Sequence, residues 1–206
     1  MTQDARTGRP TPPRRNFGLA DAMILVAASA IGLAATGWLT DGEPLKEAWE
    51  IFSTPPQDGW TIGNILMMVG LLGITFVVPS LAAWTLACLL MRFRDPRPAR
   101  RRLVRQPGAM ACLIATIVIG LSVVGGLAVW ATTEPDDFIR SPRLSGAMFG
   151  STQVGAAVLW CWATMAISGR WRPEPTWLDR LGRLLGLAWI ALAIAVGYVT
   201  VNFWNL

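Results

Sequence analysis

A chain of 206 residues, 53% hydrophobic and 15% charged, with 18 basic against 13 acidic side chains, has room for one domain and gathers its apolar residues into runs far longer than a water-soluble core uses. It contains no histidine, which excludes haem held by His ligands, the usual zinc sites and Ser-His-Asp hydrolysis. Its three cysteines, Cys88, Cys112 and Cys161, fall in three different apolar runs with no C-x-x-C pair, so they read as small core residues, and neither a metal, a cofactor nor a disulfide is expected from them.

Taken in chain order, residues 1–16 are polar and rich in Pro, Arg and Thr, the composition of a disordered basic tail. Five uncharged runs follow: Ala22–Thr40, Trp60–Met91, Gln106–Thr133, Leu144–Gly169 and Leu184–Leu206. About 20 apolar residues cross the roughly 30 Å of hydrocarbon in a bilayer. Barrel strands are about 10 residues long with alternating polarity, which these runs lack, so helices are expected. The first run is the weakest, with Ile24, Leu25, Val26, Ile31 and Leu33 as its strong insertion drivers. The second is the longest and contains Pro79, which removes one backbone hydrogen bond, frees the carbonyl of Thr75 and predicts a kink. Between the first two runs, Pro44 and the spacing of Leu45, Ala48, Trp49 and Phe52 predict a short surface helix over 44–53. Before the fifth run, Thr176-x-x-Asp179 resembles a capping box with Asp in place of Glu and predicts an early start for that helix.

The segments outside the runs carry, in order, 4, 1, 7, 2 and 4 Lys+Arg. Basic residues flanking spans stay in the cytoplasm. The chain therefore reads as an all-α integral membrane protein, a five-helix transmembrane bundle with its N-terminus cytoplasmic and its C-terminus outside. Residues 1–16 form the tail and 17–206 a single membrane domain, with spans at about 19–40, 61–91, 108–132, 145–168 and 184–204. Eight of the thirteen acids fall in the two outer loops, on the side opposite most of the arginines. The high basicity then needs no nucleic acid. Arg92–Arg105 reads as a topology anchor that also attracts anionic lipid headgroups. Arg outnumbers Lys 17 to 1, which points to a GC-rich bacterial genome and so to the inner membrane.

Arg14-Arg15-Asn16-Phe17-Gly18-Leu19 resembles a twin-arginine export signal, but Asp21 interrupts its apolar core and four further runs follow, so the segment is expected to stay as the first span. Residues 17–28 also resemble the opening of some uncharacterised bacterial multi-pass proteins, a likeness that implies no activity.

Small residues mark where helices are expected to meet. Gly146, Gly150, Gln153 and Ala157 share one narrow face, where two glycines admit another backbone and Gln153 hydrogen-bonds across the contact. Ala28 and Gly32 form a similar pair in the first span, as do Thr116/Gly120, Ser122/Gly126 and Ala193/Gly197 further on. Trp84, Trp160, Trp162 and Trp189 lie deep in the runs and are expected to pack rather than to cradle a ligand. Asp21, the one acid inside the first span, is expected to cap its helix. These features favour a non-enzymatic membrane protein that acts by helix–helix association with other membrane-protein subunits: a small subunit, assembly factor or scaffold. The alternative is a channel or carrier for a neutral or lipidic solute, built on the Pro79 bend and a polar cavity of Asn64, Thr75 and Gln153. A lipid-processing enzyme using the outer-loop pair Asp136 and Asp137 is a third and weaker reading.

Overall fold

The computed structural model describes residues 17–40, 62–94, 104–132, 142–174 and 176–203, with side chains described over 17–37, 76–94, 104–126, 128, 150–174, 176–198 and 200–201. The 1–16 tail, the 44–53 segment and Asp136 and Asp137 lie outside the described residues, as do the side chains of Asn64 and Thr75 and the surroundings of Gly146. Among the described residues there are five helices, α1 (Leu19–Thr40), α2 (Ile62–Phe93), α3 (Pro107–Thr132), α4 (Pro142–Ile167) and α5 (Trp177–Phe203), and no strand. Stretches in α1, α2, α3 and α5 are long and apolar enough to cross a membrane. α4 is as long as α3 but the least apolar of the five, because Ser151, Thr152 and Gln153 stand together within it.

The helix ends follow from local chemistry. α1 opens at Gly18, whose carbonyl accepts from the Asp21 and Ala22 amides (3.0 and 3.1 Å) while its own N–H donates to Asp21 Oδ2 (3.2 Å). Asp21 is buried and serves as the cap of this helix. α3 opens with Pro107 in the first helical position, where its missing N–H costs nothing. α5 starts seven residues before the apolar run at Leu184, because Thr176 Oγ1 accepts from the Asp179 amide (3.4 Å) and launches the helix there. Pro79 is buried inside α2, which continues as one helix through it.

Successive helices run in opposite directions, so one end of the bundle gathers the starts of α1, α3 and α5 with the ends of α2 and α4. The Phe17 and Trp177 rings meet there edge to face (5.0 Å, 82°). There too, Arg172 N–H donates to the Arg105 carbonyl (3.2 Å), joining the connection before α3 to the one before α5. This is the arginine-rich end. α3, α4 and α5 pack on one another, α2 lies against α5 and α3, and α1 is laid chiefly along α2. Ala111, Ala115, Val154, Val158, Trp162 and Trp189 form one buried cluster. Cys88, Met91, Cys112, Leu178 and Leu185 form a second, nearer the arginine-rich end.

Glycines let these helices touch backbone to backbone. A Cβ on Gly182 would sit 2.5 Å from the Gly108 carbonyl oxygen, so α3 and α5 cross with nothing between them. Gly155 faces the backbone of Trp189, and Gly32 lies against the backbone of Ser80, one residue past Pro79. In lipid, where apolar surface gains little by leaving its solvent, such close packing is a main source of helix–helix affinity. Gly182→Ala should therefore destabilise the purified protein by about 1–3 kcal/mol, the usual cost of overpacking. Gly125→Ala, on the open face of α3 with no atom near its Cβ, should leave the thermal unfolding midpoint in detergent unchanged.

Candidate functional site

The arginine-rich end holds a buried polar cluster assembled from three helices. Its centre is Asp179, 0% exposed, in the first turn of α5. Asp179 Oδ1 accepts from the Gly108 amide (3.0 Å). That amide belongs to the first turn of α3, where backbone N–H groups have no partner within their own helix. A carboxylate of α5 thus caps α3 in trans, at the end where the helix dipole favours negative charge.

Arg92, 3% exposed in the last turn of α2, completes the cluster. Its Nη1 donates to Gln106 Oε1 (2.6 Å) and its Nη2 to the Leu178 carbonyl (3.0 Å), with Nη2 also 3.8 Å from Asp179 Oδ1. Cys88 Sγ donates to the same Leu178 carbonyl (3.8 Å). Arg183, one turn along α5 and 32% exposed, places Nε 3.4 Å from Asp179 Oδ2, in an orientation that makes an ion pair but no hydrogen bond. Charge-assisted bonds of this kind are roughly twice as strong as neutral ones. Their arrangement clamps the end of α2 and the starts of α3 and α5 together. Cys88 and Cys112 are free thiols buried in the apolar cluster beneath the clamp. Among the described residues no group of three or more His, Cys, Asp or Glu is placed to hold a metal ion.

Deeper in the bundle, three indoles tie helices pairwise. Trp162 Nε1 donates to the Pro107 carbonyl (3.0 Å), joining α4 to α3. Trp189 Nε1 donates to Thr85 Oγ1 (3.0 Å), joining α5 to α2, and Trp84 Nε1 donates to Ser29 Oγ (3.0 Å), joining α2 to α1. The fourth deep tryptophan, Trp160, is 77% exposed on the outside of α4.

The residues singled out from sequence distribute as follows. Ala28 is buried and Gly32 meets Ser80, both at the α1–α2 contact. Gly150 is half-buried, 3.5 Å from Ser122 of α3 when a Cβ is placed on it, and Ala157 is half-buried. Gln153 is exposed rather than turned into the bundle. The buried stripe of α4 is instead Ser151, Val154, Gly155, Val158, Trp162 and Met165, turned from the Gly150–Gln153–Ala157 face toward α5. Arg92, expected among the headgroup-facing arginines, is buried in the ion cluster. The pairing of Arg92 with Gln106 and Asp179 had no sequence signal beyond the capping pattern at Thr176 and Asp179, because the partners come from different helices.

The cluster's energetics are testable by a double-mutant cycle. Asp179→Leu alone leaves a buried guanidinium and the Gly108 amide without their carboxylate, and should cost about 3–5 kcal/mol in a denaturant titration of the detergent-solubilised protein. Arg92→Met/Asp179→Leu, which removes both charges, should recover most of that loss. No family model, curated protein or solved structure matches this chain.

Proposed function

We propose that the chain is a five-span protein of the bacterial inner membrane, with its arginine-rich end in the cytoplasm, that works by association as a small subunit, assembly factor or scaffold. One observation carries this reading: Gln153, near the middle of α4, faces outward from the bundle. A carboxamide facing hydrocarbon wants a partner, and across a helix contact it gains about 0.6–2 kcal/mol from one. Its surroundings suit a second helix. Gly150 and Ala157 on its own face are small and half-buried, and Ala156 beside it is small and exposed, so a neighbouring backbone can approach closely.

Supporting the same reading, α3 turns Gly120, Gly125 and Gly126 outward with no atom near the position of a Cβ. Lipid gains nothing from bare glycine, whereas a packed helix does. The partner is another membrane-embedded helix, from a second subunit or a second copy. The orientation rests on the distribution of Lys+Arg along the sequence, 15 in the segments assigned inside and 3 in those assigned outside.

Two measurements test the proposal. Reporter fusions in the 95–103 connection and at the carboxyl end should report opposite sides of the membrane; the same side for both would sink the five-span topology. Full-length protein cross-linked in native membranes and then purified should carry a stoichiometric partner. Gln153→Leu should weaken that association roughly threefold to thirtyfold, while Gln153→Asn retains most of it. A monomer whose behaviour is untouched by Gln153→Leu would reject association through α4 in favour of solute carriage.

A further inference from the structure

The connection between α4 and α5 is held at three points. α4 ends in a Schellman arrangement: Gly169 sits at φ 64°, its N–H donates to the Ala166 carbonyl (3.2 Å), and Arg170 N–H donates to the Met165 carbonyl (3.0 Å). Trp171 then rests edge-on against the buried Trp162 (5.6 Å, 79°). Arg172 N–H donates to the Arg105 carbonyl (3.2 Å). Arg105, Arg170 and Arg172 are thereby carried on one fixed corner, and all three are exposed. Among the described residues none of them pairs with a carboxylate. The one acid in the stretch, Glu174, is half-buried.

The height of the corner matters as much as its charge. Arg105 stands two residues before the apolar stretch Pro107–Gly126. Below Arg170, the outer face of α4 presents Trp160, Thr164 and Ile167, all exposed, spaced along one side of the helix. Guanidinium groups therefore sit where an outward apolar strip ends. A free phosphate would use only the arginines. A phospholipid would use both parts, its phosphodiester on the guanidinium forks and an acyl chain along Trp160 and Ile167.

We propose that Arg105, Arg170 and Arg172 form a binding site for the phosphate of an anionic phospholipid headgroup, with the Trp160–Ile167 strip seating its acyl chain. Trp160 and Thr164 continue the Gln153 face of α4 toward its end, so a partner helix crossing at Gln153 has to leave that end open; the two readings are told apart by their readouts, lipid retained by each protein molecule here and association between proteins there.

The test uses the full-length protein in detergent, with bound lipid read by native mass spectrometry after exchange into micelles doped with phosphatidylglycerol or phosphatidylcholine. Wild type should retain phosphatidylglycerol preferentially. Each basic residue near an anionic headgroup contributes roughly fivefold, so Arg105→Gln/Arg170→Gln/Arg172→Gln together should lower retention on the order of a hundredfold. Arg94→Gln/Arg180→Gln, which neutralises two other exposed arginines at the same end, should change it far less. Trp160→Ala should weaken phosphatidylglycerol retention without touching any arginine. An unchanged thermal midpoint confirms that the triple variant is folded, and Arg105→Lys/Arg170→Lys/Arg172→Lys, which keeps the charge but not the planar fork, should restore only part of the binding. Equal retention of the two lipids by wild type would overturn the proposal. So would equal losses in the triple and control variants, or displacement of the lipid by millimolar inorganic phosphate with no effect of Trp160→Ala.

Discussion

Two glycines on different helices set the geometry of the arginine-rich end. Because Gly108 and Gly182 carry no side chains, α3 and α5 cross at backbone contact. That separation lets Asp179, three residues before Gly182, reach the amide of Gly108 itself. A methyl group at either position would push the helices apart and strand a buried carboxylate. The ion cluster thus depends on a packing feature, and the packing feature is reinforced by the cluster. Arg92 brings α2 into the same joint through the Leu178 carbonyl, which lies one residue from Asp179. Three of the five helices are fastened at one point by groups spanning little more than a helical turn.

Away from that point the bundle is held by a different device. Lipid offers no strong hydrophobic drive between helices, and the indole N–H groups of Trp84, Trp162 and Trp189 supply directed bonds in its place. Each pairs with an oxygen on a neighbouring helix, and between them they connect α1 to α2, α2 to α5 and α4 to α3. Hydroxyl partners are themselves donors to their own helices: Ser29 Oγ to the Leu25 carbonyl (2.9 Å), and Thr85 Oγ1 to the Leu81 carbonyl (2.6 Å). The indole is thus accepted by a hydroxyl whose proton is already placed, which fixes the direction of the bond. Trp162 and Trp189 are buried and Trp84 half-buried, each with its indole N–H satisfied by a neighbouring helix. Trp160 stands on the outside of α4, 77% exposed.

The long uncharged runs made the helices legible, since their length and lack of alternation leave few other structures compatible with lipid. The caps at Asp21 and Thr176 were legible because each is a local pattern within four residues. Between helices, small residues are the one pattern a sequence offers; Gly32 lies against the Ser80 backbone and Ala28 is buried. The face of α4 could not be resolved that way, because Gly150 and Gly155 point about 140° apart around the helix, and only the neighbouring helices decide which one is covered. Gly155 takes the backbone of α5, and Gln153 is left outside. The ion cluster was invisible for a stricter reason. Arg92 read as the first charge of a cytoplasmic connection and Asp179 as a cap. Each reading fits its own segment; the pairing exists only once α2 and α5 are side by side.

Trp162 links the interior to the exposed corner. Its indole nitrogen is bound to Pro107, the residue before the amide that Asp179 holds; its ring lies against Gly186, and its other edge supports Trp171. A side chain larger than hydrogen at Gly186 would meet the ring at 2.6 Å, so the indole has no freedom to swing toward α5. Consequently the corner that carries Arg170 and Arg172 is referenced to the start of α3 through one rigid side chain, and Arg105 is referenced to it again through the Arg172 amide. Guanidinium groups on two connections between helices would ordinarily move with them. Here their backbone is fixed to the start of α3 and the end of α4, and such preorganisation lowers the cost of ordering exposed arginines on a ligand.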